Sequence, residues 1–286
     1  MGTFLANKRV SCLMSMFILS ICTIFMSAST IYGQNQESPL DKIQWIHGPA
    51  KVSLGNIANI NLPEGYMFAN ANDTQNIIMA LMETPSSGNE LGYVISQNGK
   101  VEALFSFEET GYIEDNEKDS LDSDAILKAI TEATDKTNEE RKKRGWEVIN
   151  IVGWQQTPHY DASTNNLEWA IRVQTASGKQ SVNYNTRLLG RKGVMSVVLI
   201  CDPLKLTEVM PDYKMILANY EFSSGNRYAE FVQGDKVAKY GLTGLMLGGA
   251  AAVAAKAGVF KWLWKVLLAG FIGLAALLKK IFGKKQ

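Results

Sequence analysis

The chain has 286 residues, 46% of them hydrophobic, with 29 Lys+Arg against 28 Asp+Glu. All 28 acids lie between residues 34 and 240 beside only 20 of the basic residues, so this body carries about −8, which argues against nucleic acid, whose affinity rests on cationic phosphate contacts. Of three cysteines only Cys201 lies beyond residue 33, which leaves the body without an intramolecular disulfide or a cysteine metal site.

Residues 1–33 read as a secretory signal peptide. Lys8 and Arg9 form a basic start, Val10 to Met26 is apolar, and Ser27, Ala28, Ser29 and Gly33 are the small residues before a cut at Gln34. A retained anchor is the alternative, because the apolar run is nearly long enough to span. Lipoprotein processing at Cys22 is disfavoured by the bulk of Ile21. Residues 34–44 are a polar linker, and residues 45–240 are long enough for one domain with its own core.

That domain opens with short strands, Lys51 to Leu54 and Asn56 to Leu62, followed by a Pro63-Glu64-Gly65 turn into Tyr66 and Phe68. Asp73 to Glu83 predicts a helix capped by Asp73 and ended by Pro85 to Gly88. Leu91 to Ser96 and Lys100 to Phe107 flank Asn98-Gly99, a strong hairpin signal. Asp122 to Arg144 is the clearest helix. Ile126, Leu127, Ile130 and Ala133 make its apolar stripe, acids open it, a basic cluster closes it, and Gly145 follows as a left-handed cap. Four strands come next. Trp146 to Trp154 is apolar on both faces, which predicts a central strand. Leu167 to Gln174 and Val182 to Leu188 alternate apolar with polar residues, and Val194 to Cys201 is an apolar run in which Cys201 reads as a small buried hydrophobe. Leu204 to Asn219 predicts a last helix with a possible break at Pro211. The fold class expected is α+β, an antiparallel sheet with flanking helices, followed by a C-terminal membrane helix.

Residues 241–286 hold seven lysines and no Asp or Glu. Trp262 to Leu278 is interrupted only by Lys265 and approaches the roughly 20 residues a span needs. Trp262 and Trp264 suit the interfacial belt, and Lys279, Lys280, Lys284 and Lys285 would face the cytoplasm. Alternatives are a span over Tyr240 to Ala255 with a basic amphipathic helix after it, a hairpin of both apolar runs, or a buried helix pair.

Candidate chemistry is sparse. His159 and Asp161 could form a general base and its orienting carboxylate in a loop between strands, although the same residues suit a plain turn. Asn183, Asn185 and Arg187 share one strand face, and Arg172, with Glu168 and Gln174, offers a similar face on the neighbouring strand. Together these could line a polar ligand groove, or simply be the wet side of a half-buried sheet. The acidic run Glu114 to Asp124 fails the calcium-loop template, with Ser120 where glycine and Ile126 where the closing acid belong, and reads as a solvated helix start. No cofactor and no metal site is expected.

Several stretches carry a family resemblance: Phe105 to Tyr112, Gly153-Trp154 through Pro158-His159-Tyr160-Asp161 to Ala170, Val182 to Val194, and Arg227-Tyr228-Ala229-Glu230-Phe231 with Gly234 to Ala238. With the Gly-Ala-Lys tail at Gly248 to Lys256, they resemble the bacterial membrane-anchored proteins grouped as domain of unknown function 2167. The resemblance implies an exported domain tethered by its C-terminus, and no activity, cofactor or catalytic residue. The element order is also similar to a PsbP-like α/β/α sandwich, with Pro63 to Phe68 and Leu204 to Phe222 as the matching segments. The expectation is therefore a non-enzymatic envelope protein at the bacterial inner membrane. Its main domain would be periplasmic, its tail cytoplasmic, with the bilayer (through residues 241–286) and another envelope protein as partners. The rivals are a membrane-tethered hydrolase using His159 with nearby carboxylates, and a small-ligand sensor using the polar face around Asn185 and Arg187.

Overall fold

A computed structural model describes residues 42–82 and 86–248; the signal peptide, most of the linker and the expected membrane helix lie outside them. An eight-stranded antiparallel sheet runs in the order β1 (Ile46–His47), β4 (Tyr66–Asn70), β5 (Glu90–Ser96), β6 (Glu102–Glu108), β10 (Val194–Cys201), β9 (Gln180–Leu189), β8 (Asn166–Thr175) and β7 (Ile149–Asp161). A second sheet has three strands, β11 (Tyr220–Phe222), β3 (Ala58–Leu62) and β2 (Ala50–Leu54), also antiparallel. The helices are α1 (Ala71–Met82), α2 (Ser123–Lys143), α3 (Leu206–Ala218) and the short α4 (Leu242–Met246). The expected α+β class, an antiparallel sheet with flanking helices, is what the chain forms.

The two faces of the large sheet bury different layers. On the first, Val94, Ala103, Phe105, Ala170, Val182, Tyr184 and Leu199 pack under Val52, Leu54, Ile60 and Leu62 of the small sheet and Val209, Tyr213 and Ile216 of α3. On the second, Leu167, Trp169, Ile171 and Val173 of β8 pack under Ile126, Ile130 and Ala133 of α2 and under Leu242, Leu245 and Met246 of α4. Fully burying one such side chain is worth about 1.5–3 kcal/mol, so both layers are needed to close the sheet.

Local signals mostly resolve as expected. Asp122 caps α2 by accepting from the Ala125 amide at 2.9 Å, and Gly145 follows at φ +70°. The cap of α1 is Asn70 rather than Asp73: the Asn70 Oδ1 accepts from the Asp73 amide at 3.1 Å, while the Asp73 carboxylate accepts from the Asn70 side-chain amide. Pro211 sits inside α3 without breaking it.

Two expectations fail. The strand at Trp146 to Trp154 lies at the sheet's edge, not its centre, and runs on to Asp161. α2 covers the Ile149 and Ile151 side of its early residues, while Val152 on the other face is 46% exposed. The Asn138 side chain donates to the Ile149 carbonyl at 2.7 Å and accepts from the Ile149 amide at 3.0 Å, standing where a neighbouring strand would. Beyond Ile151 the pairing with β8 shifts register three times. The second failure is the tail boundary. Gly241 to Gly248 belongs to the domain, with Leu242, Leu245 and Met246 all 3% exposed or less in the second core layer. The rest of the Tyr240 to Ala255 run lies outside the described residues.

Candidate functional site

Strand pairing decides where the polar candidates point, because residues directly opposite in an antiparallel ladder share a face. Asn183 pairs with Ile171, Asn185 with Trp169 and Arg187 with Leu167, so all three asparagine and arginine side chains enter the second core layer. They are 5%, 5% and 3% exposed. Arg172 pairs with Val182 and therefore faces the other way, where its guanidinium donates to Gln155 Oε1 at 2.9 and 3.2 Å. The expected joint groove does not form: its two halves are separated by the thickness of the sheet.

Arg187 lies with its guanidinium carbon 4.8 Å above the Trp169 ring and donates weakly to the Thr186 carbonyl at 3.4 Å. Burial pulls its pKa down to about 10, with Glu108 opposing the shift, so the cation persists at neutral pH. Burial likewise pushes the Glu108 carboxyl up, against the pull of Arg187. Farther across the same face Glu102 is 6% exposed and accepts from the Tyr93 hydroxyl at 2.7 Å. Burial raises its carboxyl to about 7. The thiol of Cys201 is likewise pushed up, to about 11, which leaves it protonated and unreactive at neutral pH.

His159 stands exposed on β7, in a strand rather than a loop, opposite Glu168. Asp161, two residues on, has its carboxylate engaged by the Ser163 amide at 2.8 Å and hydroxyl at 2.6 Å. Those bonds hold the Asp161 carboxyl below its ordinary value. Glu168 accepts from the Tyr184 hydroxyl at 2.6 Å. The acidic loop also has structural work: Glu117 Oε2 accepts from the Thr243 amide at 2.8 Å at the start of α4. Among the described residues no group of three or more His, Cys, Asp or Glu could hold a metal ion.

The quoted motifs meet at one end of the sheet. Tyr112 forms a parallel bridge with Val237 and its ring stacks on Tyr228 at 4.4 Å and Phe231 at 4.1 Å. Tyr228 donates to the Ile113 carbonyl at 2.8 Å. Arg191 grips Asp235 with two hydrogen bonds of 2.7 and 2.9 Å, which hold the Asp235 carboxyl down to about 2. Gly111, at φ +96°, brings its backbone so close to Lys236 that a Cβ would lie 2.6 Å from the Lys236 carbonyl oxygen. These motifs form a buckle that fastens Arg227 to Gly248 across the sheet.

Beside the buckle lies a cavity of about 360 Å³. Leu188, Leu217, Phe222 and Tyr228 supply its apolar lining, and Asn165, Asn166 and the half-exposed pair Arg227–Glu221 (2.6 Å) its polar lining. All three residues of β11 line it. That strand pairs with β3 on one side only. The Ser223 amide donates to the Ile57 carbonyl at 2.9 Å and the Asn219 carbonyl accepts from the Asn61 amide at 3.0 Å, so the odd-numbered residues bond toward β3. The alternation of an antiparallel ladder then turns the main-chain N–H and C=O of Tyr220 and Phe222 away from β3. His159 and Glu168 stand on the sheet face that also carries Asn166 and Leu188, one step along the strands from this cavity. None of the cavity's residues was singled out as a site from sequence. Arg227 and Tyr228 stood out only as part of a motif, and nothing in the chain marks Tyr220 to Phe222 as an edge.

The sequence profile described as "Protein of unknown function (DUF2167)" matches residues 46–279. No curated protein matches the chain. Among solved structures, cyanobacterial PsbP from Synechocystis is similar at 8% identity with a TM-score of 0.37, over 67% of this chain and 96% of that one. A protein of unknown function from Pseudomonas aeruginosa is similar at 11% identity with a TM-score of 0.24, over 59% of this chain and 92% of that one. Likenesses of this size carry no argument about activity.

Proposed function

The chain belongs to the DUF2167 family of proteins of unknown function, and from that premise we propose that it is a membrane-anchored cell-envelope protein whose α+β domain faces the periplasm and binds another protein without catalysis. The observation that carries the binding role is the cavity beside β11: an apolar lining, an ion pair beside it and main-chain groups turned outward. The anchoring rests on sequence, on the contrast between an acidic body and a lysine-bearing apolar tail. On this reading the anchor begins beyond the folded domain. Because Leu242, Leu245 and Met246 are core residues, lipid contact starts after Gly248, and the buckle ties the chain just before it to the sheet.

Fractionation tests this reading. A chain ending at Gly248 should leave the membrane pellet and remain folded, whereas one ending at Tyr240 should lose its second core layer and aggregate. Pelleting of the Gly248 truncation with membranes, or survival of the body when protease is added outside spheroplasts, would overturn the topology. The hydrolase alternative keeps one observation in its favour, the cross-strand pair His159 and Glu168 beside the cavity. Complete loss of function in a folded His159→Ala variant would select it over the binding role.

A further inference from the structure

We infer that the cavity beside β11 recognises an extended peptide segment of a partner protein, which adds to the small sheet as a fourth strand. The inference rests on the binding role proposed above and names the chemistry of its partner.

Three observations carry it. The small sheet ends at β11, whose outer side has no strand against it. The N–H and C=O groups of Tyr220 and Phe222 point to that side, and no backbone or side-chain hydrogen bond to them is found among the described residues. Such a row of groups is satisfied by another main chain running alongside, with alternating donors and acceptors at strand spacing. Finally, the space they face is bounded and partly apolar. Leu188, Leu217 and Tyr228 line it, so alternate side chains of an added strand have somewhere to go. An acyl chain would fill the apolar part but leave both N–H groups without an acceptor, which is the costly outcome.

At the β7 edge of the large sheet, by contrast, the outward groups of Ile149 are already taken by Asn138, and three register shifts bend the remainder. The small sheet's own second edge, β2, also has no strand outside it, but only β11 lines the cavity. The Arg227–Glu221 pair in the lining adds selectivity: a ligand carboxylate would compete with Glu221 for Arg227, so neutral or cationic residues are favoured there.

The test uses the full chain in lipid nanodiscs and a displayed library of random linear peptides. Selection should enrich peptides with alternating apolar residues. Their binding should slow hydrogen exchange at the amides of Tyr220 and Phe222. Methylating the peptide's alternate backbone nitrogens should weaken binding by about tenfold or more, since each lost main-chain bond is worth about a factor of ten. Ala229→Trp, at an exposed position lining the cavity, should abolish binding without touching the core. Enrichment of the same sequences on the Ala229→Trp protein would overturn the inference, as would indifference to backbone methylation, protection elsewhere on the domain, or a failure to enrich any peptide. A membrane topology confirmed in the fractionation test alongside any of these results would remove strand addition and leave the anchoring intact.

Discussion

The two core layers of this domain are built on opposite economies. Under the small sheet, nearly every inward side chain is apolar, and the polar exceptions are few: the Tyr213 hydroxyl donates to Thr186 at 2.9 Å, and the Tyr220 hydroxyl is buried with no partner among the described residues. Under α2 and the buckle, the sheet buries Asn183, Asn185, Arg187 and Ser196 on one face, with Glu108 partly buried beside them and Glu102 buried farther across it. The first layer supplies burial with little specificity. The second accepts desolvation of charged groups, and what it holds is the C-terminal segment that leads to the tail. Buried polar groups of this kind are weak evidence for stability and better evidence for a defined fit.

Substitutions can break that comparison. The largest effect is expected at Arg187: alanine should cost about 3–5 kcal/mol by urea unfolding, because it empties the buried space over Trp169 and leaves the partly buried Glu108 without its cation. Replacing both, Arg187→Met with Glu108→Gln, should restore most of the loss. If the double variant is no more stable than the single, the charge pair is not the reason for the cost. Ile60→Ala in the first layer should lose about 2–5 kcal/mol by cavity formation, with no polar partner able to rescue it.

Leu245→Ala should cost a similar 2–5 kcal/mol and speed hydrogen exchange across Tyr228 to Gly248. An unchanged exchange rate there would mean that the buckle alone holds the segment. Glu102 provides a pH probe. Its folded pKa, near 7, lies above the ordinary carboxylate value, so its contribution is fully present below about pH 4.3 and is lost as pH rises through 7. Glu102→Gln should flatten that slope and gain on the order of 2 kcal/mol at pH 8 relative to the parent. An unchanged stability profile would show that Glu102 ionises freely in the fold. The smallest effect belongs to the first layer: Tyr213→Phe should lose only about 1 kcal/mol, one neutral hydrogen bond.

Much of the fold was legible where local signals are strong. The Asn98-Gly99 hairpin, the alternation in β8 and β9, and the stripe and caps of α2 all follow from spacing and turn chemistry. What could not be read depends on partners far along the chain. Alternation in β9 separates Asn185 and Arg187 from Tyr184 and Leu188, but it does not say which face is wet; here neither is, because a helix and a returning C-terminal segment cover the polar side. Trp146 to Trp154 mimics a central strand because Val152, apolar yet exposed, sits opposite the Ile149 and Ile151 face that α2 covers. Leu242 to Met246 is as apolar as the tail it precedes, so composition alone merges the two. The cavity beside β11 was invisible for a different reason. Its recognition elements are main-chain groups, and main chain is the same in every sequence.

The Asn138 side chain has a consequence at the level of populations of molecules. A thirteen-residue strand at a sheet margin is a template onto which a second copy can zip. By occupying both groups of Ile149, one amide denies fibrils a place to seed.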